Sequence, residues 1–254
     1  MRGPDFRHVE LGDVASTNAE CMDRARAGDP GGLWITATRQ TGGRGRRGRV
    51  WVSEPGNLYA SLLLIDPAAW EAMASLPLAV TIAVHDAIST VLPTDAGELR
   101  IKWPNDLLLD GRKTAGILIE AERLPGGGTA VVIGCGVNVA HRPEAGLYPA
   151  TCLAEQGSAV TPQELFARLV VSMDLALSKW DQGRGLSAIR DVWMTRADGI
   201  GKPVTVNLPD RQIHGLFDSI DGEGRLILAT PDGNKQMIAS GDVFFPAHGN
   251  DQTG

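Results

Sequence analysis

Arg39-Gln40-Thr41-Gly42-Gly43-Arg44-Gly45-Arg46-Arg47-Gly48-Arg49-Val50-Trp51-Val52 packs four arginines and four glycines into residues 42–49, with no acid among them. The 254-residue chain carries a net charge of -6, so this is a local cationic segment on an acidic protein. Arginines in such a run pair with anionic groups, and the interleaved glycines let the backbone approach a ligand closely. Gly43 to Gly48 also fits G-x-G-x-x-G, but a dinucleotide fingerprint needs a helix opening inside it. Here the chain continues instead through Val50-Trp51-Val52 into Gly56 to Leu64, which reads as strand. That rejects the dinucleotide fingerprint. With Val50 the match extends to the glycine-rich loop of kinases, yet neither His-Arg-Asp nor Asp-Phe-Gly occurs, and no phosphate loop of the G-x-x-x-x-G-K-[ST] type exists. By itself the segment reads equally as a ligand loop or a solvated linker.

Working outward, Gly32 to Thr38 predicts a strand entering the segment, and Phe6 to Leu11 an earlier one. Between them Thr17-x-x-Glu20 fits a capping box, opening a helix to Ala27 that Gly28 closes. Ser16, Thr17 and Asn18 therefore read either as helix caps or as hydroxyls and amides offered to a polar ligand. Downstream, Leu76 to Leu92 predicts a buried helix too short to span a membrane. Arg100 to Asp106 and Leu107 to Leu109 lead to Asp110-Gly111, a hairpin signal, with a return strand from Arg112 to Glu120. Lys113 lies just past that turn, which fits an exposed strand end as well as a site. Gly116 inside the strand implies a bulge or close approach. Ala130 to Val139 is a further apolar strand holding Gly134 and Gly136. Residues 141–149 read as a loop.

Thr161-Pro162-Gln163-Glu164 is a strong helix start, for a helix to Trp180, and a second runs from Gly185 to Arg196. After Asp198 the spacing predicts short strands at Val204–Leu208, Gln212–Asp218, Arg225–Thr230 and Gln236–Ser240, a small β-barrel. His248 to Gly254 reads as a disordered tail. Cys21, Cys135 and Cys152 are unclustered, as are the five histidines, so reduced thiols in a cytoplasmic protein are expected and no metal site. No apolar run of 18 residues and no signal segment occurs.

Four segments in this order resemble the biotin protein ligases: Ser16-Thr17-Asn18; Gln40 to Arg49 with Trp51; Lys102-Trp103-Pro104-Asn105-Asp106 followed by Lys113 to Leu118; and Gly134-x-Gly136-x-Asn138. The resemblance implies an α+β fold: a mixed β-sheet flanked by helices, of the class II aminoacyl-tRNA synthetase type, with a small C-terminal SH3-like barrel. It implies a catalytic unit over 1–198, an SH3-like unit over 199–247 and a tail over 248–254. The implied activity makes biotinyl-5′-AMP from biotin and ATP, with Mg²⁺ on the phosphates. Biotin then passes to one lysine of a carboxylase's carrier domain. No prosthetic group is implied.

By the same resemblance Ser16, Thr17, Asn18 and Gln40 bind biotin's polar head. Gly43, Arg44, Gly45 and Arg46 form the loop over biotin; the glycines of Gly42 to Gly48 leave many backbone states open, so that stretch is expected to be mobile when empty and ordered by ligand. Arg46, Arg47, Arg49, Trp51 and Asn138 serve the nucleotide, and Gly116 admits the ligand. Lys113, Arg46 and Asp106 are the expected catalytic groups. Other family members carry a DNA-binding domain ahead of Ser16; the few residues there imply none, and no specific DNA binding. A homodimer is one implied state. Ala150 stands where some members stack an aromatic on adenine. A lipoate ligase shares the core but does not require the polar cluster. A nucleic-acid binder conflicts with the acidic total charge. A module that bound without turnover conflicts with the presence of Lys113 and Asp106.

Overall fold

The computed structural model describes residues 6–144 and 149–245. The expected tail from His248, and positions 145–148 of the loop after β7, lie outside them.

The Arg-rich segment joins β2 (Leu33–Gln40) to β3 (Leu58–Ile65), an antiparallel pair with Leu33 opposite Leu63. Both strands are near-continuous apolar runs because both faces of their sheet are covered. The sheet has seven strands in the order β1-β2-β3-β7-β6-β5-β4, with β1 (Arg7–Val14), β4 (Leu99–Lys102), β5 (Asp106–Leu109), β6 (Arg112–Arg123) and β7 (Thr129–Val137). Only β1 and β2 pair in parallel, joined through α1 (Thr17–Arg26); the rest are antiparallel, so the sheet is mixed. Most of the expected strands appear, several of them longer than the sequence suggested, but the run from Arg100 to Leu109 is split by a turn at residues 103–105 into the antiparallel pair β4 and β5. Asp110 and Gly111 both take positive φ, 54° and 69°, as a two-residue hairpin requires.

Side chains alternate across the sheet with period two. Trp34, Leu62, Val131 and Ile133 face a core formed with α2 (Leu76–Ser89), α3 (Pro162–Trp180) and α4 (Leu186–Arg196). Leu33, Ile35, Leu63, Ala130 and Val132 face the opposite way, onto Cys21, Met22 and Ala25 of α1. The capping box at α3 is formed: Glu164 N donates to Thr161 Oγ1 at 3.2 Å and Thr161 N to Glu164 Oε2 at 2.8 Å. At α1 the expected box does not form. Ser16 is the cap and makes no side-chain cap bond, while Thr17 lies inside the helix. The apolar stretch around α2 is longer than expected. With a preceding 3-10 turn it runs from Trp70 to Ser89, 20 residues of mean hydropathy 1.4, long and apolar enough to cross a membrane. It is instead the central core helix: Leu76, Ala79, Val80 and Ala83 have no exposed surface.

The C-terminal residues form a five-stranded antiparallel sheet, order β11-β10-β9-β8-β12, with β8 (Pro203–Asn207), β9 (Gln212–Ile220), β10 (Leu226–Ala229), β11 (Lys235–Ile238) and β12 (Asp242–Phe244). Strand β12 has no counterpart among the strands expected from sequence; three residues are too few for a pattern to register. Val206, Phe217 and Leu228 join the same core as α2. Trp103 Nε1 donates to Gly224 O at 2.9 Å and Arg190 Nε to Ile220 O at 2.7 Å, tying the second sheet to the first unit.

Candidate active site

The α1 face of the large sheet is apolar at one end and empties toward the other. Along β7 the residues on that face are Ala130, Val132, Gly134 and Gly136; opposite them β6 places Glu120, Leu118 and Gly116, and β3 places Ser61. Losing side chains at Gly134 and Gly136 clears a cavity beside the N-terminus of α1. A Cβ on Gly136 would stand 2.6 Å from the Trp51 indole, and one on Gly134 would overlap Asn18 Oδ1. Gly116 is expected to admit a ligand; its nearest neighbour here is Trp51, 3.0 Å from a Cβ built there.

The Arg-rich segment forms the roof. Thr41 N and Gly42 N donate to Val14 O and Ala15 O, at 2.9 and 2.8 Å, which anchors its start. Trp51 N to Gly43 O (2.9 Å) and Gly45 N to Arg49 O (2.7 Å) fold it back on itself. Gly43 is required by close approach, since a Cβ would meet Ser53 Oγ and Trp51 O at 2.6 Å. Arg47 turns the tip in the left-handed region, φ 57°. That conformation is costly for a residue with a Cβ.

Lys113 reaches the cavity because β6 carries a bulge opposite Leu107 and Leu108, which re-aims the residues after the turn. Its backbone is held by Pro149 O (2.8 Å) and Thr151 N (2.9 Å). Nζ lies 2.7 Å from Asp106 Oδ1 and 5.4 Å from the Trp51 ring centroid. This ion pair is half-buried, so it is less screened than a surface pair. Arg46 donates to Asn105 Oδ1 at 3.1 Å, and desolvation by burial lowers its pKa from the usual arginine value.

Below the cavity lies a polar network. Thr17 N and Oγ1 donate to Gln40 Oε1 at 2.9 and 3.1 Å, and Gln40 Nε2 donates to Ser53 Oγ at 3.0 Å. The fully buried Ser61 hydroxyl lies 2.7 Å from Thr17 Oγ1 and 2.6 Å from Asn18 Oδ1. Asn18 Nδ2 donates to Glu120 Oε2 at 2.8 Å. The Ser16 hydroxyl keeps no capping bond and lines the cavity.

One cavity thus gathers Ser16, Asn18, Gln40, Arg44, Gly45, Arg46, Arg49, Trp51, Asp106, Lys113, Gly116 and Asn138. Thr17 does not line it, because its hydroxyl turns to Gln40 and Ser61. Gly43 is buried beneath the roof, and Arg47 does not line the cavity but pairs with Asp242, which does. Asn138, besides lining the cavity, donates Nδ2 to Thr151 O at 3.0 Å and so braces the strand ends.

Several residues of the site are not anticipated from the sequence, Ser53, Ser61 and Glu120 among them, and two more stand out. Asp242, on the unexpected β12, accepts from Arg47 Nη1 at 2.7 Å and from both terminal nitrogens of Arg49. Burial alone raises its pKa, but the Arg49 hydrogen bond and the charges of Arg49, Arg47 and Arg46 outweigh that and lower it. Its only signal in the sequence is one acid in a short apolar run. Asn57 Oδ1 accepts from Val139 N, Ala140 N and His141 N at 2.8 to 3.1 Å, fixing the chain after β7. Among the described residues no three His, Cys, Asp or Glu side chains are grouped to hold a metal ion. Burial pushes the Cys135 thiol, at the cavity wall, up to about 12, so it is no nucleophile at neutral pH.

Residues 15–138 match the biotin/lipoate A/B protein ligase family and residues 199–245 the biotin protein ligase C-terminal domain. The chain is 38% identical over 244 residues to a biotin–[acetyl-CoA-carboxylase] ligase of Paracoccus denitrificans, covering 92% of this chain and 99% of that one. It is 33% identical over 248 residues to the enzyme of the same name from Mycobacterium tuberculosis, covering 95% and 90%. Among solved structures it superposes on the Aquifex aeolicus biotin protein ligase in complex with biotin and ATP with a TM-score of 0.78 and 27% identity, over 94% of this chain and 98% of that one.

Proposed function

The chain belongs to the biotin protein ligase family, and from that premise we propose how its residues divide the work of an ATP-dependent biotin ligase. In the first step a biotin carboxylate oxygen attacks the α-phosphorus of ATP. The new bond is C(O)O–P, the bond to the β-phosphate oxygen breaks, and pyrophosphate leaves. Two anions must meet, so fixed cations aimed at the developing charge carry the catalysis. Lys113 and Arg46 are those cations. The 2.7 Å contact with Asp106 supports reading Asp106 as the group that orients Lys113. In the second step the free amine of a carrier lysine attacks the acyl carbon and AMP leaves. No acyl-enzyme is required, in keeping with the high pKa of Cys135.

Ser16, Asn18 and Gln40 face biotin's polar head in this reading, with Thr17 acting on Gln40 from beneath, and Arg44 and Gly45 cover it. Arg49, Trp51 and Asn138 serve the nucleotide. Arg47 and Arg49 are held by Asp242, so for them to bind phosphate is to exchange a carboxylate partner for a phosphate one. Mg²⁺ enters on ATP as part of the substrate. The donor set near the cavity, with Asp106 and Asp242 already engaged by cations, does not suit a resident metal, and no step runs through one. The catalytic unit (1–198) and SH3-like unit (199–247) are part of the proposal, supported by a second sheet that starts at Pro203. So is a cytoplasmic location, in keeping with three free, buried cysteines. Sequence-specific DNA binding is excluded from it, since the chain is acidic and two of the loop arginines share the Asp242 carboxylate. A homodimer built by pairing the large sheets would use the β1 edge, which among the described residues has no strand partner beyond β2, whereas Ile101 of the other edge strand, β4, is bridged by Ala197.

The observation that carries the roles is Lys113, held by Asp106 over Trp51 between the α1 terminus and the Arg-rich roof. Its test is biotin-dependent release of pyrophosphate from MgATP, with and without an apo carrier domain. Lys113→Ala should lower turnover on the order of a hundredfold or more. Turnover with lipoate or octanoate but not biotin would overturn the substrate, and equal rates in Lys113→Ala would overturn its role.

A further inference from the structure

Glu120 has no role in the adenylation or transfer steps, yet both of its carboxylate oxygens face site residues. It lies on the cavity side of β6, two positions beyond Leu118. Oε2 accepts from Asn18 Nδ2 at 2.8 Å, and Oε1 lies 3.9 Å from Arg44 Nη2. The first contact is a charge-assisted hydrogen bond. The second is too long for a hydrogen bond but within ion-pair range. Asn18 is thereby fixed from two sides, with the Ser61 hydroxyl at Oδ1 and Glu120 at Nδ2. Its amide cannot turn over without setting Oδ1, an acceptor, against the Glu120 carboxylate, which only accepts. Arg44 is 55% exposed and has no other charged partner among the described residues.

We infer that Glu120 is a positioning residue that couples the floor of the biotin site to its roof. It holds the Asn18 amide in one orientation and draws Arg44 down over the cavity. This rests on Asn18 and Arg44 serving biotin as in the proposed function. A carboxylate suits the task because its two oxygens act on two elements at once. Glutamine offers one acceptor to Asn18 and only a donor to Arg44. Alanine offers neither.

The test is biotin-dependent exchange of pyrophosphate into ATP by the full chain, comparing wild type with Glu120→Gln, Glu120→Ala, Arg44→Gln and the Glu120→Gln/Arg44→Gln pair. Glu120→Gln should raise the KM for biotin about threefold at low salt, the scale of a half-exposed ion pair, with the gap closing at molar salt. Glu120→Ala should raise it by about tenfold or more at both salts, because the Asn18 amide loses its charged acceptor. The KM for ATP should stay within about twofold, and the pair should be no worse than Arg44→Gln alone. An unchanged biotin KM in both Glu120 variants, or a Glu120→Gln penalty that persists undiminished on the Arg44→Gln background, overturns the inference. Glutamine is close to isosteric, so a folding failure of the alanine variant leaves the glutamine result decisive. No biotin-dependent exchange by wild type would overturn the ligase reading, and this inference with it.

Discussion

Gly136 and Lys102 show how single residues set the chemistry. The Trp51 indole occupies the space a side chain at Gly136 would need. Gly136→Ala should therefore push Trp51 off the floor and cost about 1–3 kcal/mol of stability, as overpacking does. Biotin turnover should fall more than the residual folded fraction explains. Denaturant titration beside steady-state rates would check this, and a variant as active and stable as wild type would remove Trp51 from the site. Lys102 is 5% exposed, and burial, partly offset by Asp106, brings its pKa down from 10.5 to about 8. Linkage sets the sign. Between about pH 8 and 10.5 the unfolded chain binds the proton and the native one does not, so stability rises with pH through that window. Below 8 both states are protonated and the burial penalty stands in full. Wild type should thus gain stability relative to Lys102→Met between pH 8 and 10.5, read from denaturant midpoints of the two at each pH. A constant difference would show that Lys102 titrates normally.

Among the elements, the Arg-rich roof departs furthest from its sequence. Its glycines argue for a loop free to move, yet its tip is tied to β12 through Arg47, Arg49 and Asp242. Asp242→Asn removes the charge with little change in shape. Trypsin should then cut the segment faster than in wild type at low salt, and the two rates should converge at high salt as the ion pairs are screened. Identical rates at low salt would mean the pairs do not hold the tip. The opposite lesson comes from α3, where Thr161 and Glu164 cap the helix as their spacing requires. The same pattern at Thr17 and Glu20 fails, because Gln40 and Ser61 out-compete the cap for the hydroxyl. A local motif holds only when no tertiary partner competes for its atoms.

At the scale of the molecule, both sheets share one core through α2, and Trp103 and Arg190 bond across to the second sheet. Unfolding should therefore be one transition, coincident by far-ultraviolet dichroism and tryptophan fluorescence. Two separated midpoints would mean the units fold independently.

The sequence by itself determined the main helices, most of the strands, the hairpin at Asp110-Gly111 and the family, and it named Lys113, Asp106, Arg46, Asn18, Gln40 and Trp51, which line one cavity. These features are legible because period, turn chemistry and spacing are written in neighbouring residues. Only the tertiary structure decided that Thr17 turns away from the cavity, that Glu120 faces both Asn18 and Arg44, and that Asp242 holds arginines 193 and 195 positions earlier in the chain. Each of these depends on which atoms the sheet and core bring within a few ångströms, and no local pattern encodes distance across a fold.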